Sequence, residues 1–229
     1  MKLYHNRSDA GRALARALEG HAIVSGTPVL ALARGGVPVG LEVARALQLP
    51  LDVFIVRKLG LPWQPEVAMG AIASGGVQVL NEDMVAGWRI TPEEIAEVAA
   101  REGAELHRRE VSYRRGRAPA DVFGHEVLLV DDGVATGASL RAAVVAVKRL
   151  GATRVVVAVP VGARDSCAEL AHEVGELVCP LQPDDFTAVG QWYEDFSVTT
   201  DADVRRCLDE AAALPVAVST AERHDFLSE

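Results

Sequence analysis

The chain has 229 residues, 49% of them hydrophobic, and a mean hydropathy of +0.15; this is ample core material and excludes a disordered or fibrous protein. Its 23 Lys and Arg against 32 Asp and Glu leave a net charge of −9, which argues against a broad nucleic-acid or anionic-membrane surface. The length permits one generous α/β domain and leaves little room for two.

The N-terminal stretch MKLYHNRSDAGR has no apolar run, and the longest one in the chain, Val155–Val161, falls far short of the ~18 residues that a membrane span needs. A soluble cytoplasmic protein is expected. Cys167, Cys179 and Cys207 are widely spaced without a CxxC pair, so they read as reduced, buried thiols rather than a disulfide framework or a zinc knuckle.

Four short apolar runs read as strands of a buried parallel sheet: Val29–Ala33, Val53–Val56, Val127–Val130 and Val155–Val159. A further strand is expected at Glu176–Cys179. Pro38–Leu47 follows the first run with Pro in its opening turn and Gly40, Val43, Ala44 and Leu47 on one face, a crossover helix. Leu140, Ala143, Val144, Val147 and Leu150 follow the third run at helical spacing, and Gly151 is placed to end that helix. Ala163–Ala171 makes a third helix. Two segments break this alternation. Leu59–Leu80 carries two alternating stretches, Val67–Ala73 and Val77–Leu80, joined at Ser74-Gly75-Gly76, and reads as a β-hairpin or a mobile flap. Thr91-Pro92-Glu93-Glu94 is a capping box opening a long polar helix toward Arg117. Six arginines of that helix, Arg101, Arg108, Arg109, Arg114, Arg115 and Arg117, face three glutamates, which makes either a solvated face with i,i+4 pairs or the basic wall of an anion site or oligomer contact.

The string that carries chemistry is Glu126–Ser139, EVLLVDDGVATGAS: a buried strand ending in two adjacent carboxylates, a loop of small residues, then a helix. In open α/β sheets ligands bind at the carboxyl ends of strands. Ala135, Thr136, Gly137, Ala138 and Ser139 offer free N–H groups, the positive end of a helix dipole and two hydroxyls, a cradle for a phosphate. Asp131 and Asp132 cannot favourably face that phosphate and suit a neutral diol or a Mg²⁺ brought by the ligand. A ribose 5-phosphate fits both demands. No Lys follows Gly137 as a Walker A loop requires, and Gly133 and Gly137 do not make a GxGxxG fingerprint.

Glu126–Ser139 resembles the phosphoribosyl-pyrophosphate (PRPP) binding motif of the type I phosphoribosyltransferases, and the order of the chain from about Tyr4 to about Leu208 resembles the uncharacterised bacterial group described as predicted phosphoribosyltransferases. The resemblance implies a mainly parallel α/β sheet flanked by helices over residues 1–214, with a β-hairpin flap at 59–80, a small C-terminal hood at 180–200 and a tail at 215–229. It implies that Asp131 and Asp132 bind the ribose 2′ and 3′ hydroxyls and hold Mg²⁺ only through PRPP, and that Ala135–Ser139 hold the 5′-phosphate. Arg34-Gly35-Gly36 is similar to the family's pyrophosphate loop, and Arg57-Lys58 to the start of its closing loop; Asp131, Asp132, Arg34 and Lys58 would be the catalytic set. Phe186, Trp192, Tyr193 and Asp195 would receive a nucleobase-like acceptor, although these aromatics can equally fill a small core. A homodimer is expected by the same resemblance.

Two departures bear on mechanism. Where 6-oxopurine-using members carry an Asp proposed as general base, this chain has Ala135, and the second lysine of the adenine-type closing loop is replaced near Leu61. Asp195 or Glu66 would then have to act as base, or the acceptor needs little help. A PRPP-binding regulator without transfer activity is the alternative that these departures favour.

Overall fold

A computed structural model describes residues 4–215. In chain order the elements are α1 (Arg7–Leu18), β1 (Val29–Leu32), α2 (Gly36–Leu47), β2 (Leu51–Phe54), β3 (Val56–Gly60), β4 (Ala68–Ala73), β5 (Val77–Leu80), α3 (Glu82–Gly87), α4 (Pro92–Arg114), β6 (Glu126–Val130), α5 (Ala138–Arg149), β7 (Arg154–Ala158), α6 (Arg164–Glu173), β8 (Glu176–Val178) and α7 (Asp201–Ala212). The strands β2-β1-β6-β7-β8 form one all-parallel sheet, and β3-β4-β5 form a small antiparallel sheet.

Every residue of β1 and β6 is buried, as strands covered by helices on both faces demand. α2 and α5 are the expected crossovers. α5 buries Leu140, Ala143, Val144 and Val147 against the sheet and ends before Gly151, whose φ of 94° few other residues adopt. The chain leaves β1 for β2 on one side and returns as β6 on the other, so the order reverses between β1 and β6. Such a reversal opens a crevice at the carboxyl ends of those two strands.

The second strand differs from the expected Val53–Val56. It closes at Phe54, and Val56 already belongs to the antiparallel sheet. Ile55 is the transfer point: Ser74 N donates to its carbonyl at 2.8 Å, and its own N–H donates to Ser74 Oγ at 3.0 Å. The hairpin of 68–80 is present and gains β3 as a third strand. Leu59, Leu61, Met69 and Ile72 pack with Val98, Ala99 and Leu106 of α4, which anchors this sheet against the body.

α4 opens on the capping box, with Glu94 N donating to Thr91 Oγ1 and Thr91 N to Glu94 Oε2, and it stops at Arg114 because Arg115 turns left-handed at φ 50°. Its arginines are matched: Arg108 and Arg109 by Glu105, Arg114 by Glu110 and Asp52, Arg115 and Arg117 by Asp209. The paired face, rather than a free basic wall, is what folds. α1, α3 and α7 were not expected from periodicity; α1 packs on α2, and α7 buries Val204, Cys207 and Leu208. Cys167 and Cys207 are buried thiols and Cys179 is half-buried. Among the described residues no helix is long and apolar enough to cross a membrane. The expected tail, Pro215 apart, lies outside the described residues.

Candidate functional site

Because Ala31 pairs with Val130, the loops leaving β1 and β6 emerge side by side. The first is Ala33–Gly36, with a cis peptide between Ala33 and Arg34; the second is Asp131–Gly137. They touch through glycine. A Cβ on Gly35 would lie 2.1 Å from Asp132 Oδ2, and one on Gly36 would lie 2.7 Å from the Val130 carbonyl oxygen and 2.9 Å from Asp131 Cα. The backbone on that side cannot yield, so Gly36→Ala is expected to cost about 1–3 kcal/mol and lower Tm by several degrees. Gly20→Ala, with nothing within 4 Å of its Cβ, should leave Tm unchanged by differential scanning calorimetry.

Asp131 Oδ1 accepts the Asp132 N–H at 2.8 Å, so the Asp131 carboxylate is oriented by the backbone of its neighbour. Burial, and next the charge of Asp132, push Asp131 well above the usual carboxylate range. Burial also pushes Asp132 up, but Arg7 opposes it by charge and by a hydrogen bond from Nε to Oδ2 at 2.8 Å. Arg7 is itself fixed: one terminal nitrogen donates to the Ser197 carbonyl at 2.7 Å, and the guanidinium carbon lies 3.9 Å from the centre of the Phe196 ring. Tyr193 Oη donates to the Asp132 carbonyl at 2.5 Å.

Beyond the acids, Ala135, Thr136, Ala138 and Ser139 are exposed, and Gly137 takes φ 72° as the residue before α5. The N-terminal N–H groups of α5 therefore open to solvent beside Asp131 and Asp132. The rear of the loop is anchored: Val134 N donates to the Val161 carbonyl, Ala163 N to the Val134 carbonyl, and Ser166 Oγ to the Ala135 carbonyl. Arg141 reaches back to the Thr136 carbonyl.

The cations are less free than the sequence implies. Arg34 lies 3.4 Å from Asp201, whose Oδ1 also accepts Tyr113 Oη at 2.7 Å. Lys58 donates to the Glu66 carbonyl at 3.0 Å. It lines a cleft of about 550 Å³ together with Ala138 and Ser139, so it reaches the side of the phosphate loop. Arg57 does not line that cleft. It turns toward α4 and binds Glu102 through Nε at 2.9 Å, because the alternation of β3 puts successive side chains on opposite faces.

The hood corrects two expectations. Tyr193 is fully buried and Trp192 nearly so, packed with Tyr4 and Val161, and the Tyr193 ring stands 5.6 Å from Tyr4 and 5.0 Å from Phe196. Neither ring presents a face to a base; they build the small core that carries Arg7. Phe186 is half-buried against the same cluster, and Asp195 is exposed. Hydrogen bonds from Ser197 hold the Asp195 carboxyl below its usual range, which weakens it as a base.

Three residues that shape the site escaped sequence reasoning: Arg7, Tyr113 and Asp201. Asn6, whose side chain accepts the Asp9 N–H, was the signal for α1, and the Thr200–Asp203 capping box was the signal for α7. Nothing local announces that Arg7 meets an acid 125 residues away.

A family model described as "Phosphoribosyl transferase domain" matches residues 4–196. The chain is 47% identical over 214 residues to "Putative phosphoribosyl transferase Rv0571c" of Mycobacterium tuberculosis strain H37Rv and equally to "Putative phosphoribosyl transferase MT0597" of strain CDC 1551, each match taking in 92% of this chain. Those alignments cover 47% of either relative, so the chain spans about half the length of the curated relatives it matches. The crystal structure of TT1426 from Thermus thermophilus superposes with a TM-score of 0.79 at 44% identity, over 92% of this chain and 99% of that one. The family match runs through the whole parallel sheet, both touching loops and the acid pair, and on that ground the chain belongs to the phosphoribosyl transferase domain family.

Proposed function

We propose that the chain binds PRPP with Mg²⁺ and transfers its 5-phosphoribosyl group to a nitrogen of a nucleobase-like acceptor, releasing pyrophosphate. The observation that carries this reading is the open N-terminus of α5 beside the Asp131–Asp132 pair, with the Gly35–Gly36 turn pressed against those acids. The N–H groups at the start of α5 and the hydroxyls of the exposed Thr136 and Ser139 hold the 5′-phosphate, where fixed donors and the helix dipole favour negative charge. Asp131 and Asp132 accept from the ribose 2′ and 3′ hydroxyls and so fix C1′ for displacement, which is a positioning contribution. Gly35 and Gly36 let backbone N–H groups approach the pyrophosphate, and Arg34 and Lys58 balance its departing charge.

Among the described residues no group of three or more His, Cys, Asp or Glu could hold a metal ion. Mg²⁺ rarely sits in an all-protein cage and keeps to ligand phosphates and water, so it would come with PRPP, and Asp131 and Asp132 would hold it only through the bound PRPP. Bound so, the ion would neutralise charge on the leaving pyrophosphate. By the family resemblance the assembly is a homodimer.

Arg7 acts through Asp132. Arg7→Met removes the cation that opposes the raised Asp132 titration, so Asp132 becomes harder to ionise. The acid limb of PRPP binding then moves to higher pH, and the loss of affinity, about tenfold for one charge-assisted bond, is larger at pH 6 than at pH 8. Isothermal titration across pH checks this.

A second reading, a PRPP-binding regulator, is favoured by two observations: Ala135 offers no base, and Arg34, Arg57 and Lys58 are each already met by an acidic residue. Pyrophosphate release is the deciding assay, with PRPP, Mg²⁺ and a panel of purines, pyrimidines and ammonia. Turnover supports the transferase; PRPP binding without turnover on any acceptor supports the regulator; no PRPP binding overturns both.

A further inference from the structure

Two of the three thiols converge directly behind the phosphate loop. A Cβ on Gly162 would lie 2.5 Å from Cys167 Sγ and 3.3 Å from Cys179 Sγ, so both sulfurs border one small residue. Cys167 comes from the first turns of α6 and is buried; Cys179 follows β8 and is half-buried, its Sγ donating to the Leu181 carbonyl at 3.3 Å. Cys207 packs elsewhere, with Val204 and Leu208 against Leu41 and Tyr113.

The pair is wired to the loop. Gly162 bridges to Val134, whose Cγ1 would lie 2.4 Å from a Gly162 Cβ, and Val134 exchanges both backbone hydrogen bonds with the 161–163 segment. Ser166, beside Cys167 on α6, donates to the Ala135 carbonyl at 2.5 Å. We propose that Cys167 and Cys179 are a modification site: hydrogen peroxide converts them to a reversible disulfide, and closing that bond pulls the 161–167 segment and loosens the Val134–Ser139 loop that it supports.

The step balances. The Cys167 thiolate attacks one peroxide oxygen, forming a sulfenic acid and releasing hydroxide, which takes up the Cys167 proton as water; the Cys179 sulfur then attacks the Cys167 sulfur, expelling the hydroxyl, which leaves as water with the Cys179 proton. Two thiols and one peroxide become one disulfide and two waters. The neighbouring Cys179 thiol holds the Cys167 thiol below its usual range, which suits Cys167 as the attacking sulfur, while Cys179 is pushed up by Cys167 and by burial. Cys167 is buried and Cys179 half-buried, so peroxide has to enter on the Cys179 side; the disulfide is reversed by dithiothreitol.

The chemical part stands without any ligand; the consequence for PRPP rests on the function proposed above. Peptide mapping without reductant after mild peroxide treatment should link Cys167 to Cys179 in the wild type and in Cys207→Ser, and not in Cys179→Ser. Sulfinic acids or links between chains instead of that pair overturn the site. Hydrogen exchange then reads the loop directly: the Val134 and Ala163 amides should exchange at least tenfold faster in oxidised Cys207→Ser and recover with dithiothreitol, while treated Cys179→Ser does not change. A linked pair with unchanged exchange overturns the coupling. PRPP affinity should fall tenfold or more in the same oxidised sample; if the reduced protein binds no PRPP, the functional reading fails while the disulfide and the exchange result are judged on their own.

Discussion

Replacing Asp131 and Asp132 together by asparagine is expected to weaken PRPP binding by at least two orders of magnitude while leaving the protein folded. Each carboxylate accepts from a ribose hydroxyl in the proposed complex, and hydrogen bonds to charged groups contribute about 1.5–3 kcal/mol apiece, so losing two of them is worth about a hundredfold or more. The stability side separates loss of the site from loss of the fold. Asp131 has its folded titration raised by burial and by Asp132, so its ionised form is a burden that the fold carries. A group raised in this way contributes stability that is fully present below its unfolded value near 3.8 and is lost as pH rises through the folded value. At neutral pH Asp131→Asn alone should therefore raise Tm or leave it unchanged, and the fall in Tm between pH 4 and neutrality should flatten. Asp132→Asn should not do so, because it strands the Arg7 guanidinium, whose side chain is only 12% exposed. Calorimetry of the two single variants, paired with PRPP titration of the double variant, checks both halves. Unchanged PRPP affinity in the double variant would remove these acids from the site.

The parts of this molecule that sequence reading reached are those whose cause is local. β6, the acid pair and α5 were visible because a both-faces-apolar strand, two adjacent carboxylates and a 3.6-residue period sit next to one another in Glu126–Ser139. The α4 start was visible because a capping box is a four-residue signal. What escaped is set by contacts across the chain. The run Val53–Val56 looks continuous, yet it is cut at Ile55 because Ser74, nineteen residues on, takes both of its backbone groups. Trp192 and Tyr193 fit a stacking platform and a small core equally well, because aromatics in a loop carry no periodicity to decide; Tyr4 and Val161, which bury them, come from distant segments. The cations read as a free cluster because Glu102, Glu66 and Asp201, which meet them, follow no fixed spacing. Hence the strand, the adjacent acids and the helix were legible, and the ion pairs around the cations were not.

Arg114→Met is expected to destabilise the protein by about 3–5 kcal/mol and to lower Tm by roughly 10 °C. Arg114 is 10% exposed at the end of α4, where Nε donates to both oxygens of Asp52 at 3.0 Å and a terminal nitrogen donates to the Val53 carbonyl at 3.0 Å. Glu110, one turn earlier, lies 3.2 Å from the same guanidinium. Asp52 also accepts the N–H groups of Val53 and Ala120, so this one carboxylate ties the start of β2 to the segment before β6. Methionine fills much of the volume but leaves Asp52 and Glu110, 11% and 16% exposed, without the cation that separates them. Removing one partner of a buried pair is worse than removing both, because the surviving charge must stay desolvated. Arg114→Met with Asp52→Asn should therefore recover a good part of the loss, and the double-mutant cycle by urea denaturation should give a coupling well above the roughly 0–1 kcal/mol of a surface pair. Additive effects of the two substitutions would mean that the ion pair is incidental to the packing. The network touches neither glycine turn nor acid pair, so PRPP affinity of the folded Arg114→Met protein should match that of the wild type. That contrast with the Asp131/Asp132 variant separates the buried charges that hold β2 to α4 from the acid pair at which PRPP is proposed to bind.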